Sequence, residues 1–254
     1  MTFTRHTPST RSAACSAGKL ANSATIIAVL RYPGGAIIAA DSQTSDPIAG
    51  VRWQTTKLTE LGKLPCVVGF SGATGRAQQC HQAFKDKPFE ATSFKKSETL
   101  RTYFSKSVTP VFQQIITANP KIPDRLWTVT LWGLIAAWAE NDSQILEIEP
   151  NGVLCFHPSF HAIGSGAPTA YAVYRTLGGT RLSSVDERRA IMAMLRILRT
   201  AINVDFVGVS EPIDVWVISK ESARQLSPDE LAAHLQAAKE WQQDEQERFY
   251  SGEV

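Results

Sequence analysis

The stretch TIIAVLRYPGGAIIAADS, residues 25–42, decides how this chain is read. Two apolar runs, Thr25 to Leu30 and Ala36 to Ala40, flank Pro33-Gly34-Gly35, which is turn chemistry. Together they predict a β-hairpin that begins on a hydroxyl, Thr25, and ends on a carboxyl, Asp41. Asp41 lies sixteen residues after Thr25, and Lys57 follows after the same interval.

Working outward, a strand pair is expected at Thr55 to Leu61 and Cys66 to Ser71, joined through Gly62-Lys63-Leu64-Pro65. Helical spacing of apolar residues then predicts helices over Ala73 to Lys85 and Ser97 to Ala118, the second stopped by Asn119-Pro120. Strands return at Thr128 to Ala139, Gln144 to Ile148 and Gly152 to Phe156, with turn residues between them, which suits a meander. A helix from about Pro168 to Leu177 follows. Ser184-Val-Asp-Glu187 reads as a capping box opening a longer helix whose apolar positions are Ile191, Met194, Leu195, Leu198 and Ile202. Ile213 to Ser219 is an apolar strand, and a second capping box, Ser227-Pro-Asp-Glu230, opens a last helix reaching about Phe249. Blocks of strands separated by helix pairs predict two stacked sheets covered on both outer faces, a four-layer αββα sandwich of the α+β class.

The length of 254 residues suits one large domain, placed at residues 25–254. A net charge of +2 with dispersed Lys and Arg argues against a nucleic-acid partner, and no apolar run is long enough to span a bilayer. Cys15, Cys66, Cys80 and Cys155 lack CxxC spacing and read as free thiols of a reducing, cytoplasmic compartment. His157 and His161 are four apart, but Pro158 and strand-like neighbours argue against a helical metal pair, and with His81 they read as satisfied polar residues. Residues 1–24 are rich in Ser, Thr and Ala, contain no acidic residue and lack a secretory apolar core, so they read as a disordered leader or propeptide.

A threonine hydroxyl needs a base to become a nucleophile, and the α-amine of the same residue serves once the peptide bond before it is cut. Such chemistry also needs a nearby cation and backbone N–H donors for the oxyanion. The residue 25–42 hairpin and Thr55-Thr56-Lys57-Leu58-Thr59-Glu60-Leu61 together resemble the proteasome β-subunits, N-terminal-nucleophile hydrolases, in a bacterial homologue. In that family a nucleophilic Thr, an Asp and a Lys keep the two sixteen-residue intervals found here. The resemblance implies Thr25 as nucleophile, Lys57 as the cation beside it, and Asp41 holding Lys57. It further implies Gly72 of Phe70-Ser71-Gly72 as the oxyanion donor, Ser165 of Ala162-Ile163-Gly164-Ser165-Gly166 at the nucleophile's amine, and Asp205 supporting Ser165.

By the same resemblance the protein is a threonine peptidase acting on peptides or unfolded proteins in a homo-oligomeric ring, without cofactor or metal. An ATP-dependent unfoldase would be a partner of unknown identity. Two departures stand out: Ala24 where the family has Gly before the nucleophile, and Gly208 where it often has Ser. They support the alternative of a non-proteolytic ring or scaffold protein that keeps residues 1–24. Taken singly, Thr25 is a strand-former, Asp41-Ser42 a turn cap and Lys57 an edge residue. Only their common register carries the catalytic reading.

Overall fold

The computed structural model describes residues 25–46, 51–61, 65–72, 74–86, 97–107, 110, 113–114, 131–204 and 209–252. The hairpin forms as β1 (Ile27–Tyr32) and β2 (Gly35–Asp41), with Ile27 opposite Ala40 and Tyr32 opposite Gly35. Along β1 the side chains alternate, as the pleat requires. Ala28, Leu30 and Tyr32 turn to one face, and Ile27 and Val29 to the other. Both faces are buried, so the hairpin lies inside the sandwich and not on its surface.

Three further strands complete this first sheet, β10 (Phe160–Ile163) beside β1 and β11 (Ile213–Ser219) beside β2, with β12 (Ala223–Gln225) at the edge, in the order β10-β1-β2-β11-β12. The second sheet is a meander of β5 (Leu58–Glu60), β6 (Cys66–Gly72), β7 (Leu131–Ala139), β8 (Asp142–Ile148) and β9 (Leu154–His157). Between the sheets lie Ile27, Val29 and Ile38 from one and Val67, Leu134 and Ile145 from the other. Two outer layers close the stack. Helices α1 (Thr74–Asp86) and α2 (Ser97–Ser107) cover the second sheet, packing Cys80, Phe84, Leu100 and Phe104 onto Val68, Phe70 and Ile135. Helices α3 (Ala167–Thr176) and α4 (Glu187–Val204) lie on the first sheet, and α5 (Pro228–Ser251) packs on α4. The expected four-layer αββα arrangement is therefore the one observed.

In α4 the predicted stripe is buried from Ile191 to Leu198, joined by Ala190, Ala193, Ile197 and Ala201, while Ile202 is half-buried against the same cluster. Its start corrects the sequence reading. Ser184 closes a 3-10 turn (Gly179–Ser184), and Asp186 caps the helix instead, its Oδ1 accepting from Arg189 N at 2.8 Å. Asp186 is itself a good N-cap residue and stands closer to the first apolar turn, so it outcompetes Ser184. The second capping box forms as expected, with the Ser227 Oγ accepting from Glu230 N and the Glu230 carboxylate accepting from Ser227 N.

Four strands have no counterpart in the sequence reading: β10, β12, and the two-stranded ribbon of β3 (Gln43–Asp46) and β4 (Val51–Gln54). The expected strand from Thr55 begins only at Leu58. The continuation of α2 toward Ala118 and the strand start at Thr128 to Thr130 lie largely outside the described residues, and residues 1–24 wholly so. Among the described residues no helix is long and apolar enough to cross a membrane, and Cys66, Cys80 and Cys155 are unpaired.

Gly35 begins β2 against β11, where an added Cβ would stand 1.9 Å from the Ile218 carbonyl oxygen. Gly75 in α1 has nothing within 4 Å of such an atom. Gly35→Ala is therefore expected to destabilise the fold by about 1–3 kcal/mol. Gly75→Ala should be neutral or stabilising by up to about 1 kcal/mol. Urea denaturation midpoints of the two variants check the contrast.

Candidate active site

Thr25 stands just before β1 and Asp41 ends β2, so the hairpin register alone brings the two ends together at one end of the first sheet. Lys57 comes from the other sheet, one residue before β5. Its Nζ donates to Asp41 Oδ1 at 2.7 Å and to Thr25 Oγ1 at 3.0 Å. The three side chains expected to act together are thus in contact, and all are buried: Thr25 is 3% exposed, Asp41 1% and Lys57 6%.

Asp41 is saturated with donors. Besides Lys57, its Oδ1 accepts from Ile26 N at 2.9 Å and its Oδ2 from Gln43 N at 3.0 Å. Burial pushes the Asp41 carboxyl up, against the opposing pull of Lys57 and the two backbone donors. Burial pushes the Lys57 ammonium down, and Asp41 opposes that shift. Each charge is tolerated because the other is there.

The loop after β10 closes the site from the other side. Thr25 N donates to Ser165 Oγ at 3.3 Å, and Gly166 N donates to Thr25 O at 3.3 Å. Gly164 has φ +97°, and a Cβ there would lie 2.1 Å from Thr25 O, so only glycine permits this approach. Gly72 ends β6 with φ 129° and borders two cavities. One is a narrow cleft of about 20 Å³ over Thr25 and Lys57, walled by Thr44, Thr56, Phe70 and His81. The other, of about 310 Å³, reaches Ser165 and Gly164 and is walled by Trp132, Glu147 and His161. Asp205, the remaining expected site residue, lies outside the described residues, as does Gly208.

His81 is a satisfied polar residue, its Nδ1 2.7 Å from Thr59 Oγ1 and its ring edge-on to Phe70. The other two histidines also have polar partners, Glu147 for His157 and Tyr171 for His161, but sequence reasoning did not foresee that they meet. β9 ends at His157 in the second sheet and β10 begins at Phe160 in the first, so the chain crosses between sheets through Pro158-Ser159. That short crossing stacks the His157 and His161 rings 3.5 Å apart, both facing Glu147 on β8. Burial alone would raise the Glu147 carboxyl, but the two imidazoles hold it down, at about 2. Strand residues four apart point the same way only on a continuous strand. The one available signal was Pro158 between them.

The sequence matches a family model described as proteasome subunit over residues 21–218. No curated protein matches it. Among solved structures, Anbu (ancestral beta-subunit) from Yersinia bercovieri superposes with a TM-score of 0.70 at 14% identity, covering 89% of this chain and 97% of that one. A mutant described as Anbu (Gly-1) from Hyphomicrobium sp. strain MC1 gives 0.67 at 15% identity, covering 91% and 100%. At these identities the likeness is one of fold.

Removing Lys57 alone would leave the Asp41 carboxylate buried with backbone donors only. Lys57→Met is expected to cost about 3–5 kcal/mol. The double variant with Asp41→Asn should cost clearly less than the sum of the two single changes. Urea denaturation of all three, treated as a double-mutant cycle, measures the coupling.

Proposed function

The chain belongs to the proteasome subunit family, and on that premise we propose that it is a threonine-type peptidase subunit of a cytoplasmic homo-oligomeric ring, with Thr25 as nucleophile. The observation that carries this reading is the Lys57 Nζ set between Thr25 Oγ1 at 3.0 Å and Asp41 Oδ1 at 2.7 Å. Neither a plain strand-former nor a surface lysine needs that arrangement.

Cleavage after Ala24 frees the Thr25 α-amine. An α-amine ordinarily titrates near 8, and the neighbouring Lys57 ammonium favours its neutral form at physiological pH. The amine takes the proton of Oγ1 as the oxygen attacks a peptide carbonyl, and Lys57, already donating to Oγ1, stabilises the developing charge. The tetrahedral oxyanion is received at Gly72, at the end of β6. Collapse breaks the C–N bond, and the α-ammonium returns its proton to the leaving amine. The resulting ester on Thr25 is then attacked by water, whose proton passes to the α-amine, releasing the acid and restoring the hydroxyl. Ser165, within 3.3 Å of Thr25 N, orients the amine throughout, and Asp205 is assigned to support Ser165. Peptides and unfolded chains are the substrates, and any ATP-dependent unfoldase that feeds the ring is a separate partner.

Ala24 before Thr25 favours a second reading, a non-proteolytic ring protein that retains residues 1–24. Intact-mass measurement distinguishes the two. The peptidase reading expects loss of the leader and one covalent epoxyketone adduct per chain, absent in Thr25→Ala. A chain starting at Thr25 that forms no adduct with an epoxyketone or β-lactone overturns it. Helices α1 and α2 are the proposed contacts between stacked rings. Mass photometry at micromolar concentration should show a multimer, and a monomer alone would rule the ring out.

A further inference from the structure

Glu147, His157 and His161 make a three-sided nest of ligand atoms that the Thr25 chemistry does not use. These atoms all lie within 4.8 Å of one another. His157 Nε2 is 2.9 Å from Glu147 Oε2. His161 Nε2 is 3.0 Å from the same oxygen, yet off the direction of a hydrogen bond, which leaves a buried ring nitrogen without a hydrogen-bond partner. The two rings are stacked within 15° of parallel. Two imidazoles and a carboxylate gathered this closely are a donor set that suits a shared cation.

We propose that Glu147, His157 and His161 bind a divalent transition-metal ion of the zinc class, with three protein ligands and a fourth position open to the pocket beside Ser165. Two neutral imidazoles and a carboxylate suit zinc, and three protein ligands with one open position is a common zinc arrangement. Ligands of a tetrahedral ion with bonds of about 2.0–2.1 Å stand about 3.3 Å apart. The observed 2.9 and 3.0 Å must open by a few tenths of an ångström, and the two stacked rings must splay from near-parallel so that both Nε2 lone pairs meet the ion. The outer shell is also present. Tyr171 Oη lies 2.6 Å from His161 Nδ1, so His161 can donate there and turn its Nε2 lone pair toward the ion, the usual way a ligating histidine is oriented. Glu147 and His161 wall the 310 Å³ pocket that reaches Ser165, and water or a peptide carboxylate entering that pocket would fill the open position. The site stands apart from the peptidase reading, because none of its ligands is Thr25, Asp41 or Lys57.

The test uses the full-length protein, stripped with chelator and titrated with Zn²⁺ by calorimetry and with Co²⁺ by absorption. One ion per chain is expected, with the visible bands of a low-symmetry four-coordinate Co²⁺ site and no thiolate-to-cobalt band in the near ultraviolet. His157→Ala, His161→Ala and Glu147→Gln should each weaken binding at least tenfold. Tyr171→Phe, which leaves all three ligands in place, should weaken it by about tenfold, so the test survives if a histidine variant fails to fold. Thr25→Ala should leave the metal affinity unchanged, so that failure of the peptidase reading and failure of the metal site are told apart. No saturable ion, a thiolate-to-cobalt band, or an affinity that Glu147→Gln and Tyr171→Phe leave within twofold of the original would overturn the proposal.

Discussion

A lysine and an aspartate hold each other at 2.7 Å inside this fold with almost no access to water, and the rest of the structure is arranged around making that tolerable. Taking each ion out of water costs several kcal/mol, and the mutual attraction offsets that cost only with good geometry and filled hydrogen-bonding positions. The structure fills them. Asp41 receives Ile26 N, Gln43 N and Lys57 Nζ, and Lys57 in turn gives to Asp41 and Thr25. A pair of apolar residues of similar size would be about as stabilising. Stability alone therefore does not account for the pair.

The position of the pair follows from the layers. Thr25 and Asp41 belong to the first sheet because β1 and β2 are one hairpin, whereas Lys57 leads into the edge strand of the second. The contact is thus a polar bridge across a dry interface of Ile27, Val29, Leu134 and Ile145. Close approach of the sheets is helped by Gly69 on β6, where a Cβ would stand 2.7 Å from Leu58 Cδ2 and 3.0 Å from Ile27 Cδ1. The aliphatic stem of Lys57 can then run through the apolar layer while its ammonium reaches the hairpin's end. A one-residue slip in the pairing of β1 with β2 would turn one strand's side chains to the opposite face and part Thr25 from Asp41.

Local period and spacing are what made parts of this fold legible from its residues. The hairpin at 25–42, the stripe of α4 and the Ser227 capping box each carry their pattern within one or two turns of chain, and the structure has them as expected. The hairpin register explains why Thr25 and Asp41 meet, whereas Lys57, which comes from the other sheet, was legible with them only through the family resemblance that its interval carries. Features decided by long-range pairing were not legible. β10 has four residues following Pro158-Ser159, and only its ladder with β1 defines it. β12 has three, defined by β11. The choice of Asp186 over Ser184 as a cap rests on where the 3-10 turn ends, which composition does not reveal. The Glu147 cluster needs two strands of the second sheet, one of the first and the crossing between them.

That crossing also ties the two polar centres of the molecule together. β10 pairs with β1 in the register Ile163 to Ile27, which delivers the loop Gly164-Ser165-Gly166 to both sides of the Thr25 peptide. His161 sits two residues before Ile163 on the same strand, pairing with Val29. Because successive residues of a strand alternate faces, His161 and Ile163 point the same way, toward the space between the sheets. The Ser165 loop is then a short continuation of the strand that carries His161. Whatever fixes the His161 ring against Glu147 fixes β10, and β10 has no slack before Gly164, whose close contact with Thr25 O leaves no room to shift. The position of Ser165 at Thr25 N is therefore set from two directions, by the β1 ladder and by the histidine pair at the sheet crossing.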